Sequence, residues 1–491
     1  MKRLPKSDAM KSKTNLNFCE AKEVTSVIYK QWLRREFLSR SGFGLGGIAL
    51  ASLLSDERSL FAEGHLPVSA KHIIYLHMIG APSQLDLFED KPELTRRDKQ
   101  PCPAEVTKNR DFAFIGKTSL LAASPWKFQK HGQAAHTFST LLPHLAGVAD
   151  EMTFIRSMHT DEINHAPAQM FLHSGFGRGG RPSLGAWVSY GLGSENSDLP
   201  AYIVLVSGPP GGAGTSLWTN GFLPSVYQGT PFRSSGDAVL FLSSPEGIPP
   251  ARRQKTLAAL ADLNREHLLH SGDPEIETRI SQYEMAFRMQ TSVPSLMDLR
   301  NESVATLEMY GAIPGKASFA NNCLQARRLI EQGVRIVELY DSDWDHHGGI
   351  ENRLPEKCRD IDRPIAALIN DLKRRGLLEE TLIVWGSEFG RTPLQQGDSP
   401  TNGKLAGRDH HKDAYTMWLA GGGIKPGISY GKTDELGMDI VENGVHVHDL
   451  NATILHVLGI DHTRLTFRYQ GRDFRLTDVH GNVVHSLISS T

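Results

Sequence analysis

Cysteine is scarce in this chain, with four residues at positions 19, 102, 323 and 358 of 491. Cys19 precedes the folded region, so Cys102, Cys323 and Cys358 are an odd set without metal-type spacing, which admits one disulfide and excludes a disulfide framework. An excess of charge of one sign is also missing: 53 Lys and Arg stand against 55 Asp and Glu, interspersed, for a formal charge of -2. Phosphate binding needs a concentrated basic face, so no nucleic-acid partner is expected. Internal repeats and low-complexity arrays are absent. With 40% hydrophobic and 22% charged residues, the composition excludes disordered and collagen-like classes and allows a large core in one or two domains.

What is present begins with Arg34-Arg35-Glu36-Phe37-Leu38, which runs into a Gly-rich, weakly apolar stretch from Phe43 to Leu54. The pattern resembles a twin-arginine signal. The apolar run is shorter than the ~20 residues of a spanning helix, and Asp56 and Glu57 follow it, so no stable membrane span is expected after processing. Such signals are read by a receptor and carry folded cargo, which suits a protein that acquires a metal before crossing. Residues 1–68 are therefore expected to be a disordered leader and signal, the export machinery a partner, and the location periplasmic or otherwise exported.

From Lys71, the short apolar run His72 to Met78 ending at Gly80 reads as a buried strand. Similar runs recur at Ala201 to Val206, Arg335 to Tyr340 and Thr381 to Trp385. Between the last two, Asp362 to Leu378 places Ile365, Leu368, Ile369 and Leu372 at helical spacing before Gly376. A strand-helix-strand unit implies a parallel sheet. The expectation is an α/β domain over 69–491, a mainly parallel central sheet flanked by helices, with a helical insertion at about 250–312 broken at Pro294. The glycines at 211, 212 and 214 lack the Gly-Lys-Ser/Thr of a phosphate loop.

The densest set of ligand-type residues follows the strand Arg335 to Tyr340. Asp341, Asp343, Asp345, His346 and His347 fall within seven residues, at the carboxyl end of a parallel strand, where open α/β sheets place ligands. They could supply mixed oxygen and nitrogen donors to a divalent metal, or form a solvated acidic loop. The next strand ends in Ser387-Glu388-Phe389-Gly390-Arg391. Glu388 is a candidate ligand and Arg391 a candidate for bidentate anion recognition; a buried Glu–Arg pair is the structural alternative. Further on, Arg408-Asp409-His410-His411 reads as a His-rich loop beside the core run Met417 to Ala420, and Asp449 as the N-cap of a helix from Asn451 to Leu458.

This order is similar to the alkaline phosphatase superfamily, which includes sulfatases and cofactor-independent phosphoglycerate mutases. The carrying residues are Asp343 and His347 after one strand, a carboxylate loop after the next, His before "GGGIKPG", then "DLNATILHVLGID". Closer still, "GAPSQLDLFEDKP", "HAPAQMFLHSG", "RPSLGAWVSYGLG", "EFGRTP" and "GRDHH", with the twin-arginine leader, resemble a large family of exported sulfatase-like proteins defined by a domain of unknown function. The resemblance spans nearly the whole chain. It implies an alkaline phosphatase/sulfatase-like sandwich and a metal-dependent hydrolase of sulfate or phosphate esters, on a small-molecule or carbohydrate ester. Zn, Ca, Mg or Mn are the candidate ions.

The chain departs from that pattern at three places. The superfamily's Ser/Thr-Asp-His-Gly reads Ser387-Glu388-Phe389-Gly390, so a histidine is lost. On the sulfatase nucleophile segment, His165 replaces the Cys or Ser and Gln169 the supporting Arg, which removes a formylglycine mechanism. After the first strand, Asp86 stands later than the usual metal-binding Asp and would reach the site from a longer loop. His165 is left as a metal ligand, a nucleophile through phosphohistidine, a general acid/base or a packed residue, with Asn164 beside it. The expected site has His165 and Arg391 in catalysis and Asp343, Asp345, His347, Glu388, Asp409 and His410 around the metal. Asp86, Asn164, His346 and His411 are second choices. The rival class is a noncatalytic exported metal- or anion-binding protein on the same fold.

Overall fold

The computed structural model describes residues 66–489, apart from positions 109, 111, 117–118, 210, 234–235, 240–241, 243–246, 272–273 and 397–405. The chain divides into units Met1–Phe61 and Ala62–Thr491, and the architecture below is that of the second. Cys19, the arginine pair Arg34-Arg35 and the stretch Phe43 to Leu54 lie outside the described residues. No helix among the described residues is long and apolar enough to cross a membrane.

The strands that build and flank the site are β1 (His72–Met78), β2 (Met152–His159), β3 (Tyr202–Ser207), β4 (Thr230–Phe232), β5 (Ile336–Asp341), β6 (Thr381–Gly386), β7 (Gly390–Gln396), β8 (Gly407–His411), β9 (Tyr415–Ala420), β10 (Ser429–Tyr430) and β11 (Val445–His446). Among the described residues, nine of these form one sheet in the order β10-β2-β9-β6-β1-β5-β3-β4, with β11 on β2. Strand β9 runs antiparallel to β2 and β6, and all other pairings in this sheet are parallel. Every residue of β1, β5, β6 and β9 is buried, which explains their near-continuous apolar sequences. The α/β class with a mainly parallel sheet is as expected.

Seven helices matter here: α1 (His165–Ser174), α2 (Leu184–Leu192), α3 (Pro250–Ser271), α4 (Pro274–Met297), α5 (Phe319–Glu331), α6 (Ile350–Arg374) and α7 (Val447–Val457). On one face of β1, Ile74, Leu76 and Met78 join a core with Cys323 and Leu324 of α5 and Ile365, Leu368 and Leu372 of α6. The other face carries Tyr75 and His77, both buried, against α1.

Several elements differ from the sequence expectation. Helix α6 starts at Ile350 rather than Asp362 and includes Pro355 and Pro364. Its Ile361, Ile365, Leu368 and Leu372 are at most 1% exposed, and burial of roughly 1.5–3 kcal/mol per side chain outweighs an interior proline's cost of ~3 kcal/mol. For a similar reason Pro294 lies inside α4 instead of ending it: Val293 and Met297 beside it are buried in the core. Residues Gly407–His411 form strand β8, not a loop, paired antiparallel with β7. Helix α7 begins at Val447 with His446 as its cap, and Asp449 sits at N3 of a capping box. Cys102, Cys323 and Cys358 are all free thiols, so the single disulfide is not formed.

Candidate metal centre

Parallel pairing sends the carboxyl ends of β1, β5 and β6 to one edge of the sheet. Strand β2, antiparallel to the antiparallel β9, ends there too. The segments that leave these strands carry Gly80 after β1, His165 after β2, Asp345 and His347 after β5, and Glu388 after β6. Because β9 runs the other way, the segment that enters it arrives at this edge, and β8 supplies His410. Two glycines permit the close approach. A Cβ on Gly80, at φ +110°, would lie 2.6 Å from the Asp345 nitrogen, and one on Gly407 2.2 Å from the His347 carbonyl carbon.

His165, Asp345, His347 and His410 each offer a ligand atom, all within 4.8 Å of one another. Asp345 Oδ1 lies 2.9 Å from His347 Nε2, 3.2 Å from His165 Nε2 and 3.7 Å from His410 Nε2. The other ring nitrogen of each histidine faces an acceptor: His165 Nδ1 the Glu388 carboxylate at 2.6 Å, His410 Nδ1 the Ile163 carbonyl at 2.7 Å, and His347 Nδ1 the Gln396 side-chain oxygen. An acceptor at Nδ1 holds a proton there, so in the neutral form that ligation requires all three rings turn an Nε2 lone pair to one point. His347 Nε2 and His410 Nε2 stand 2.9 Å apart, and His165 Nε2 is buried without a hydrogen-bond partner. Lone pairs facing each other beside a carboxylate fit a shared cation, and outer acceptors on ligating imidazoles are the usual second layer of a metal site.

Glu388, fully buried, lies behind this set. Its Oε1 accepts from His165, from Gln169 Nε2 at 3.0 Å and from the Gly80 N–H at 3.1 Å; its Oε2 accepts from the Ser387 hydroxyl. Arg391 is also buried and its donors are committed. They reach the carbonyls of Ala81, Gly80 and Arg408 and, at 2.5 Å, Asp345 Oδ1. Arg391 therefore orients Asp345, in place of the open anion fork the sequence suggested.

Other expected ligands sit elsewhere. Asp343, at φ +76°, pairs with Arg353, its side chain 67% exposed. Asp86 makes a fully buried two-pronged pair with Arg408, at 2.7 and 3.1 Å. Asp409 accepts from the N–H groups of Phe114, Ile115 and His410. It thereby ties residues 114–115 to β8, and the Phe114 ring meets His347 and His410 edge-on at 4.8 and 5.3 Å. His346 and His411 are buried outside the donor set. Asn164 is the N-cap of α1 without a side-chain capping bond.

Sequence reasoning missed Gln169, Gln396, Phe114 and Phe389 as site residues. Phe389 follows Glu388, and its ring lies 4.8 Å from His165 and 4.6 Å from His410. Gln169 had a legible signal: His165, Gln169 and His173 recur every fourth residue, one face of a helix, and Gln169 and His173 are buried.

In the metal-free site burial works to lower the His165 pKa, but the Asp345 and Glu388 carboxylates beside its two ring nitrogens outweigh it and push it up to about 9. For Asp345, burial is overcome by His165, His347, His410 and the Arg391 charge, which hold it far below the carboxylate range. Glu388 is likewise held low by His165 and His77 against its burial. Burial lowers His410, with Asp345 opposing. The site is thus an anionic pair beneath three imidazoles. Cavities of about 400 and 680 Å³ lie against α4, away from these donors.

The family described as "Protein of unknown function (DUF1501)" matches residues 70–488. No curated protein matches the chain. Among solved structures it is similar to Ps i-CgsB in complex with k-i-k-neocarrahexaose, at 10% identity over 79% of this chain and 72% of that one, TM-score 0.35. It is similar to the lipoteichoic acid synthase LtaP from Listeria monocytogenes, at 9% over 85% and 78%, TM-score 0.35. A third is a protein in the alkaline phosphatase superfamily from Vibrio parahaemolyticus, at 8% over 81% and 68%, TM-score 0.35. Likeness at these scores transfers neither a site nor an activity.

Proposed function

The chain belongs to the DUF1501 family, and from that premise we propose that it is an exported, metal-dependent hydrolase of sulfate or phosphate esters. The observation that carries the reading is the convergence of His165, His347 and His410 Nε2 on Asp345 Oδ1. Three imidazoles and one carboxylate suit zinc or manganese better than calcium or magnesium, which favour all-oxygen shells. When bound, a divalent ion supplies Lewis acidity toward an ester oxygen and toward water.

The chain's own residues do the rest. Glu388 holds the proton of His165 on Nδ1, and Arg391 fixes Asp345 toward the three rings. Phe389 and Phe114 flank the imidazoles and limit water around them. The first turn of α1 starts at His165, and the positive end of a helix favours an anionic ester head. His165 is the general acid/base of this scheme when not engaged as a ligand. The substrate class is a small-molecule or carbohydrate ester, and the resemblance of residues 34–54 to a twin-arginine signal supports the export machinery as a partner and a periplasmic or otherwise exported location.

One observation favours the noncatalytic reading. Four protein donors can fill a tetrahedral shell, as in structural zinc sites, whereas catalytic sites keep a position open. Elemental analysis of protein from its native compartment, with turnover of aryl sulfate and aryl phosphate esters in wild type and His165→Ala, separates the two. Stoichiometric metal with His165-dependent turnover supports the hydrolase; metal without turnover supports a closed site. Absent metal removes both.

A further inference from the structure

Behind Glu388, away from the donor set, the sheet face that should be apolar carries a buried line of polar groups. Glu388 Oε2 lies 3.3 Å from His77 Nε2, both side chains 0% exposed. His77 Nδ1 lies 3.2 Å from His173 Nε2. His173 Nδ1 lies 3.6 Å from Glu338 Oε1, again at 1% and 0% exposure. The far oxygen of Glu338 accepts from the Tyr340 hydroxyl at 2.6 Å and from the Tyr202 hydroxyl. The line follows three regular elements: His77 is on β1, His165, Gln169 and His173 mark successive turns of α1, and Glu338 is on β5.

Buried polar groups in such numbers cost stability unless paired, and nothing in the packing of an α/β core calls for them. The donor count gives the line a direction. A carboxylate oxygen only accepts, so His77 carries a proton on Nε2 toward Glu388. Its Nδ1 then accepts from His173 Nε2–H, and the far side of the His173 ring faces Glu338 without a hydrogen bond between them. Burial lowers the proton affinity of His77 although Glu388 opposes it, in keeping with a neutral ring that has one N–H.

We propose that His77 and His173 are positioning residues: a buried column that ends against Glu338 fixes Glu388, which fixes the ring of His165 and so sets the metal affinity of the site. The inference rests on the metal-site reading above and adds residues that lie outside the donor set. His77 orients Glu388 directly. His173 acts through His77, and Tyr202 and Tyr340 hold the base of the column.

The test measures Zn²⁺ binding by calorimetry in wild type, His77→Phe, His77→Gln, His173→Phe and His165→Ala, with circular dichroism and thermal melting of each. Outer-layer partners of ligating histidines are typically worth 10–100-fold in affinity. His77→Phe is expected to weaken Zn²⁺ within that range while folded, His77→Gln to recover part of it through its amide N–H, and His173→Phe to lose less. Wild-type affinity in a folded His77→Phe, alongside loss in His165→Ala, overturns the column and leaves the metal reading standing. Unchanged affinity in His165→Ala overturns the metal reading itself. If His77→Phe does not fold, imidazole ¹⁵N spectra of the wild type decide: a His77 proton on Nε2 supports the column, and one on Nδ1 alone overturns it.

Discussion

Two groups of histidines meet in this molecule and behave oppositely. At the sheet edge, His165, His347 and His410 surround Asp345, with Glu388 buried behind. Near the start of α7, His159, His446, His448 and His480 face one another, with ring centroids 5.0 to 5.1 Å apart. The carboxylate beside that second group, Asp161, lies 3.4 Å from His446 Nε2 but is 69% exposed. Among the described residues only the first group brings its ligand atoms to one point. The first raises His165 to about 9 against its burial; in the second, burial and then His446 and His480 lower His448 to about 4. Histidine count does not make a metal site. Shared carboxylates and aligned lone pairs do.

The largest effect that would break this contrast is in metal binding. His165→Ala should weaken Zn²⁺ by more than ~100-fold, the upper range for mere outer partners, while His448→Ala leaves it unchanged. Equal losses by calorimetry would erase the distinction.

Next comes stability of the metal-free protein against pH. His165, raised to about 9, contributes stability that is full below pH ~6.5 and lost as pH rises through 9. His448, lowered to about 4, contributes stability that is present above ~6.5 and lost as pH falls through 4. Each is worth ~3 kcal/mol at full extent. Denaturant titrations from acid to alkaline pH, in wild type, His165→Asn and His448→Asn, should show the two variants flattening opposite limbs.

A smaller effect isolates the buried carboxylate. Glu388→Gln should lower the His165 pKa by ~1 unit, or ~1.4 kcal/mol, read by NMR titration of that ring. The smallest belongs to the exposed counterpart: Asp161→Asn should change stability by less than ~1 kcal/mol, as for surface ion pairs. A larger change on denaturation would mean that Asp161 supports its histidines as Glu388 does.

The strands were legible because β1, β5 and β6 are buried on both faces and so read as apolar runs. The length of α6 was not, since Pro355, Pro364 and the charged residues from 351 to 360 mask a face fixed only by packing against α5. Asp345 and His347 stood out by their density after a strand end, and His410 by the histidine pair ahead of a core strand. Their separation from Asp343, Asp409 and Asp86 did not, because a carboxylate that faces three imidazoles and one that binds Arg353, three N–H groups or Arg408 look alike in sequence.

The sequence by itself determined the α/β class and the strand ends where ligand-type residues gather, because strand period and residue type are local properties. Tertiary structure alone decided which nitrogens converge, that Arg391 serves Asp345, and that His77 and His173 extend from Glu388 to Glu338. Those contacts join residues as far apart along the chain as His77 and Glu388, and depend on atom-level direction that only folding sets.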